Sequence, residues 1–354
     1  MVLNERQLEL VASEESGGGD AVTRLRTPYL VFLGGCESEA FGKTALGIRD
    51  WTSFVIGQQR FSSQVIDLGV PDLTAAEAKA AGAGSFVIGV SAIGGLLPDD
   101  WREAILSAIE AGLDVVSGLH HRLNDEPSFV AAAKLHGVTL HDIRHADRPL
   151  TVGTGSRRSG HRLLSVGTDC ALGKKYAALA LARAFKERGV PADFRATGQT
   201  GIMIAGRGVA IDAVPADFIS GAVEELSPAA DDDHWDLIEG QGSLFHPAYA
   251  GVSLGLLHGA QADCLVLCHD PSREHLNGFP DYPMPSIDEA IRRNEEAARL
   301  TNPDAKVVAL SLNTSKMSRS AATDLAKSLE DEFGLPCMDV MRFGVDKVVD
   351  SILS

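Results

Sequence analysis

Two α/β domains, each built on a parallel sheet, are what this 354-residue sequence predicts, on three observations. From Pro28 onward, short apolar runs alternate with helical patterns, the order that generates parallel, doubly wound sheets. A Pro-, Gly- and Arg-rich passage from Arg148 to Gly160 interrupts the alternation and marks a domain junction. Immediately after it, the strand-like run Arg162–Val166 leads through the glycine-containing loop Gly167–Lys175 into an alanine- and leucine-rich helix, Tyr176–Lys186.

The elements follow in order. Residues 1–24 are polar, with Glu14-Glu15-Ser16-Gly17-Gly18-Gly19-Asp20 within them, and read as a loose arm. The first domain is placed at 25–150, with strands expected at Tyr29–Leu33, Val65–Leu68, Phe86–Val90, Val115–Val116 and Val138–Leu140. Its helices are expected at Phe41–Arg49, Ala75–Ala81, Trp101–Ala111 and Pro127–His136. The second domain, 151–354, continues from Arg162 with strands at Ala192–Arg195, Trp235–Ile238, Cys264–Cys268 and Val307–Leu312. Helices Asp217–Glu225, Ile287–Leu300, Ala321–Phe333 and Val345–Ile352 complete it. Sheets of this kind hold ligands at the carboxyl ends of their strands.

Composition narrows the function classes. At 45% hydrophobic content the chain can fill two cores, each of about 150 residues. No run reaches the ~18 apolar residues of a membrane span. The start, Met1-Val2-Leu3-Asn4-Glu5-Arg6, lacks the basic-then-apolar pattern of a secretion signal. Five cysteines without framework spacing fit a reducing cytoplasm. Cys264 and Cys268, inside Cys-Leu-Val-Leu-Cys, are expected to pack in the core rather than bind metal. A net charge of −16 argues against nucleic acid as a general partner, because phosphate backbones need a basic surface.

Strand, glycine loop, Gly-Lys and helix form the setting in which backbone N–H groups and a helix N-terminus cradle phosphate. The usual loop has four residues between its glycines, and a Ser or Thr after the Lys ligates a nucleotide-bound Mg²⁺. Here five residues separate Gly167 from Gly173, and Lys175 occupies the hydroxyl position. A second cation holds phosphate but does not ligate a metal. The loop residues Gly167, Thr168, Asp169, Cys170, Gly173, Lys174 and Lys175 therefore read as a binder of a phosphorylated ligand, with no metal required.

Polar loops follow the other strands of the second domain, and topology brings them to the same edge of the sheet. Glu239 ends an apolar strand, where phosphate-loop proteins keep an acidic partner; the alternative is a carboxylate capping the next turn. His246 and His269 are candidate proton carriers, since imidazole exchanges protons near neutrality, and a histidine bonded to backbone is the alternative for each. Arg207 and Arg273 carry forked donors suited to carboxylate or phosphate. Cys170, beside a helix N-terminus, is a candidate low-pKa thiol or a packed side chain. In the first domain, Gly34–Thr44 has poor phosphate-loop spacing, and Ser117-Gly118-Leu119-His120-His121-Arg122 is polar at a strand end.

Several of these segments are similar to a known family. Arg195–Gly206, Asp212–Glu224 and Glu239–Arg273 carry the resemblance. Within the last of these, Glu239-Gly240-Gln241-Gly242-Ser243-Leu244-Phe245-His246-Pro247 and Gly251–Gln261 are highly specific. The chain thereby resembles, from Thr27 to its end, a two-domain bacterial and archaeal family of D-glutamate N-acetyltransferases. The resemblance implies a Rossmann-like N-terminal domain, a P-loop NTPase-like C-terminal domain, and acetyl-CoA as co-substrate. It also implies acetyl transfer to the α-amine of an acidic D-amino acid in D-amino-acid catabolism; a homo-oligomer is expected. Glu239 or His246 is expected to be the base. Gln199, Thr200, Arg207, Gln241, Ser243, His269 and Arg273 are expected to bind substrate. Linking the cationic loop to the phosphates of coenzyme A is our own hypothesis. A more distant similarity of the loop and of Glu-Gly-x-Gly to dethiobiotin synthetase gives two alternatives, an ATP-dependent ligase or kinase and a nucleotide-binding regulator without turnover. The family often carries Thr two or three residues after Gly-Lys; Tyr176 and Ala177 stand there, which weakens the ATP alternative.

Overall fold

The apolar runs become strands wherever both faces are covered, and the chain forms two compact units in a computed structural model. The structure describes residues 25–38, 41–91, 97–146 and 148–354. The expected arm at 1–24 lies outside them, as do Glu39 and Ala40 of the Gly34–Thr44 segment.

The first unit alternates β1 (Tyr29–Gly34), α1 (Lys43–Trp51), β2 (Val55–Arg60), α2 (Ala75–Ala80) and β3 (Ser85–Ile88). It continues with α3 (Arg102–Glu110), β4 (Asp114–Ser117), α4 (Pro127–His136) and β5 (Leu140–Asp142). The sheet is parallel with order β2-β1-β3-β4-β5, so β1 is internal and all six of its residues are buried.

Two strands lie elsewhere than the pattern suggests. The second strand is Val55–Arg60 rather than Val65–Leu68. Its Gly-Gln-Gln-Arg half hides it from an apolar reading, but Gln58 is buried because its amide serves the neighbouring loop. It donates to Asp67 Oδ1 (2.8 Å) and Val70 O (2.9 Å), and its Oε1 accepts from Leu68 N (2.8 Å). Val65 and Leu68 are buried as loop residues instead. The last strand starts at Leu140, not Val138. Gly137 ends α4 in the left-handed region (φ +66°), and Val138 N bonds back to Ala133 O, which keeps Val138 in the cap.

The second unit contains β6 (His161–Gly167), α5 (Lys174–Glu187), β7 (Ala192–Arg195), α7 (Ile219–Leu226), β8 (Trp235–Ile238), α8 (Ala250–Ala260) and β9 (Cys264–His269), and α6 (Gln199–Ala205) lies between β7 and α7 in the chain. A hairpin of β10 (His275–Leu276) and β11 (Phe279–Pro283) follows, then α9 (Ile287–Ala298), β12 (Lys306–Leu312), α10 (Arg319–Phe333), β13 (Cys337–Met338) and α11 (Asp346–Leu353). Its six-stranded sheet is parallel with order β13-β12-β9-β6-β8-β7. The order reverses at β6, so the loop after β6 opens at the topological switch point, where ligands bind in such sheets. Cys264 and Cys268 are buried in β9, and burial pushes their thiols up to about 12 and about 11. They are core residues.

α6 is the exception to this division, for residues 199–210 belong to the first unit. Thr200 Oγ1 lies 3.0 Å from Thr44 Oγ1, and the fully buried Tyr29 donates its hydroxyl to Met203 O at 3.0 Å. α8 adds a helix where the sequence pattern places none, over a stretch that contains Gly251, Gly255 and Gly259. Two of them form a packing face. A Cβ at Gly255 would lie 2.6 Å from Ile219 Cγ2, and one at Gly259 2.4 Å from Ser220 O, so α8 approaches α7 too closely for side chains.

Candidate functional site

The loop after β6 is held from several sides by its own unit. Asp169 is fully buried; its Oδ1 accepts from Cys170 N (2.6 Å), and its Oδ2 from Arg273 Nη1 (2.7 Å) and Asn277 N (2.8 Å). Arg273 also donates to Cys170 O (2.8 Å) and Ala171 O (2.9 Å) and faces Asp270 Oδ2 at 3.3 Å. Ser243 donates to Gly167 O at 2.9 Å, and Thr168 Oγ1 lies 3.1 Å from His269 Nδ1. Burial pushes the His269 ring below its ordinary pKa, so it is neutral at physiological pH.

Gly173 caps α5 in the left-handed region (φ +106°) and offers no side-chain acceptor to the first-turn N–H groups. Lys174 is buried and donates to Asp169 O at 2.8 Å, and burial lowers its pKa. Lys175 is half-buried with its ammonium 4.7 Å from the Tyr176 ring centre. Uncapped helix amides, a lysine in the loop and a second at its edge are the donor set of an anion site. Cys170 behaves otherwise than a helix-end thiol would suggest, since burial raises its pKa.

Glu239 sits at the end of β8, beside this loop. Only 4% exposed, it accepts from Thr197 N (3.0 Å) and Gly198 N (3.1 Å) through Oε2. Thr197 Oγ1 donates to the Glu239 carbonyl (2.5 Å), and Gln241 Nε2 donates to Thr197 Oγ1 (3.3 Å). Burial raises the carboxyl to about 7, against the opposing pull of the Lys175 charge and the two amides. A carboxyl ionising near neutrality is matched to general-base work.

His246 is engaged differently. Its Nδ1 accepts from Ala248 N (3.2 Å), which places the proton on Nε2, 3.3 Å from Asn277 O. The ring stacks on Tyr249 (4.6 Å between centres) and meets Phe279 edge-on (4.8 Å). Asp169, Cys170 and His246 each offer one potential metal-ligating atom within 4.8 Å of one another. Both carboxylate oxygens and both ring nitrogens are nevertheless engaged with protein groups.

The second unit thus assembles Gly167, Thr168, Asp169, Cys170, Gly173, Lys174, Lys175, Glu239, Gln241, Ser243, His246, His269 and Arg273 on connected loops. Gln199, Thr200 and Arg207 belong to the first unit, where Gln199 Oε1 fills the space over Gly118. Thr197 and Asn277 were missed as contributors. The Asn277-Gly278 pair, with Gly278 at φ +81°, was the available signal for a hairpin turn there. Among the described residues, no helix is long and apolar enough to cross a membrane.

A cationic glycine loop at the switch point of a parallel sheet, together with a second parallel-sheet unit, defines a phosphate-loop α/β protein with a Rossmann-like companion. The chain belongs to the DUF1611 family. That family's P-loop domain of unknown function matches residues 151–349, and its Rossmann-like domain matches 58–146. The chain is 46% identical over 329 residues to a D-glutamate N-acetyltransferase of Tritonibacter scottomollicae, covering 93% of this chain and 99% of that one. It is 46% identical over 330 residues to a D-glutamate N-acetyltransferase of a Pseudoalteromonas species, again covering 93% and 99%. The crystal structure of a DUF1611 family protein from Anabaena variabilis ATCC 29413 superposes with a TM-score of 0.82 at 34% identity, covering 92% of this chain and 99% of that one.

Proposed function

We propose that this chain transfers acetyl from acetyl-CoA to the α-amine of D-glutamate. The observation that carries the reading is the 46% identity, over 99% of their length, to two D-glutamate N-acetyltransferases. Coenzyme A brings an activated thioester and several phosphates. The uncapped first turn of α5 and the side chain of Lys174 suit those phosphates, and a lysine in place of a metal-ligating hydroxyl suits a ligand held without Mg²⁺. Glu239 takes a proton from the substrate α-ammonium, so that the neutral amine forms the new C–N bond at the thioester carbonyl while the C–S bond breaks and coenzyme A leaves as its thiol; its burial supports a proton acceptor that ionises near pH 7. His246 braces the loop after β8 against the β10–β11 turn. All five cysteines are free, which suits the reducing cytoplasm, where we place the enzyme.

Purified protein given acetyl-CoA and D-glutamate is expected to release free thiol without ATP and in the presence of EDTA, as followed with a chromogenic disulfide. L-Glutamate and D-aspartate, run alongside, read the substrate preference. Formation of ADP from Mg-ATP with no thiol release from any amino acid would replace this reading with the ligase alternative.

Lys174→Ala is expected to weaken coenzyme A binding by roughly 1.5–3 kcal/mol, the scale of a hydrogen bond to a charged group. Calorimetry on the folded variant checks it, and an unchanged affinity removes the loop from cofactor binding.

A further inference from the structure

We infer that Arg273 is a positioning residue that, from outside the phosphate loop, turns two of the loop's peptide planes so that their N–H groups face the phosphorylated ligand. The inference rests on the acetyl-CoA reading above.

Three successive peptide planes carry the argument. In the first, the Asp169 carbonyl accepts from Lys174 Nζ, and the Cys170 amide returns to Asp169 Oδ1. In the next two, the carbonyls of Cys170 and Ala171 both accept from the Arg273 guanidinium, through Nη1 and Nη2. C=O and N–H point in opposite directions across a trans peptide. Pinning these two carbonyls to Arg273 therefore turns the amides of Ala171 and Leu172 away from it.

The backbone records the turn. Ala171 is in the left-handed region at φ +53°, where a residue with a Cβ is uncommon. Successive amides around a left-handed residue form an anion-binding concavity. Arg273 is in turn fixed by the buried Asp169 and by Asp270, and Asn277 N shares the same Asp169 oxygen. A fork that grips two carbonyls and a carboxylate at once is specific to guanidinium; a lysine ammonium lacks its reach and planarity. These contacts assign Arg273 to the loop rather than to the substrate carboxylates expected for it from the sequence.

Steady-state kinetics of Arg273→Lys, and of Arg273→Ala with and without guanidinium chloride, test the assignment. The Lys variant keeps a cation beside Asp169 and so protects the fold. Its KM for acetyl-CoA is expected to rise roughly ten- to hundredfold, the scale of a lost charge-assisted hydrogen bond. Its KM for D-glutamate should stay within about twofold, and added guanidinium should restore part of the Ala variant's acetyl-CoA KM, as a lost fork allows. A rise in the D-glutamate KM instead would place Arg273 on the substrate and overturn the inference, as would no change in either constant. Calorimetry with inorganic pyrophosphate separates this from the function itself. If the wild type binds pyrophosphate but not coenzyme A, the acetyl-CoA reading fails while weaker binding by Arg273→Lys still supports the clamp. If the wild type binds neither ligand, or binds pyrophosphate no better than the Lys variant, the clamp fails.

Discussion

Glu239→Gln is expected to lower turnover by a factor of about 10²–10⁴, the usual contribution of a positioned general base, without loss of the fold. The amide has the shape of the carboxylate, and its oxygen still accepts from Thr197 N and Gly198 N, the two bonds that orient Glu239. Only basicity is removed. Because the carboxyl is raised from 4.5 to about 7, the wild-type kcat/KM should rise with pH through about 7 as the base ionises. The residual activity of the variant should lack that limb. The same shift has a stability consequence. The native state holds a proton that the unfolded chain has already lost, so Glu239 favours folding fully below about pH 4.5, and that contribution is lost as pH rises through about 7. Denaturant titrations across that window should show the wild type losing stability relative to the variant. His246→Gln is expected to have the smaller effect on turnover, since both ring nitrogens are bonded to backbone. The opposite ranking would move the base to His246; two active variants would move it elsewhere, to His120, His121 or His269.

Gly240→Ala is expected to leave little or no folded protein. Gly240 follows Glu239 and lies against β6, with its N–H donating to Ser165 Oγ at 2.9 Å. A Cβ there would sit 1.6 Å from Ser165 O and 3.0 Å from Lys174 Cδ. Ser165 is fully buried in an internal strand bonded on both sides, so its carbonyl has nowhere to retreat. The cost is placed above about 4 kcal/mol, in the range reserved for severe steric or core defects. The denaturation midpoint reads it directly. A variant as stable as the wild type would show that the β6–β8 approach is looser than these distances.

The alternation of apolar and helical runs was sufficient for the two parallel sheets, because a strand covered on both faces must be apolar along its length. β1, β6, β8, β9 and β12 were legible for that reason. β2 was not, since its buried Gln58 is polar and is satisfied by loop atoms distant in sequence. α8 was not, since its glycines serve a helix contact that no local pattern announces. Among site residues, the loop from Gly167 to Lys175 and Glu239 were visible from position alone: glycines and lysine opening a helix, and a carboxylate closing an apolar strand.

What each of those residues does was decided by tertiary structure. Chain composition shows that Glu239 is acidic; burial against Thr197 and Gly198 makes it a carboxyl that ionises near neutrality. Residue type offers Arg273 as a ligand-binding cation, but Asp169 and two loop carbonyls, more than 100 residues away in sequence, hold its donors. Residue type leaves His246 either a proton carrier or a histidine bonded to backbone; the folded chain bonds both ring nitrogens to backbone and stacks the ring on Tyr249. Gln199 and Thr200 followed a strand of the second sheet, yet the helix they open belongs to the first unit. The sequence by itself determined the fold class and the chemistry on offer, because periodicity and residue type are local properties. Only the folded chain decided which groups are desolvated, oriented or already bonded, because those depend on neighbours that sequence order does not place together.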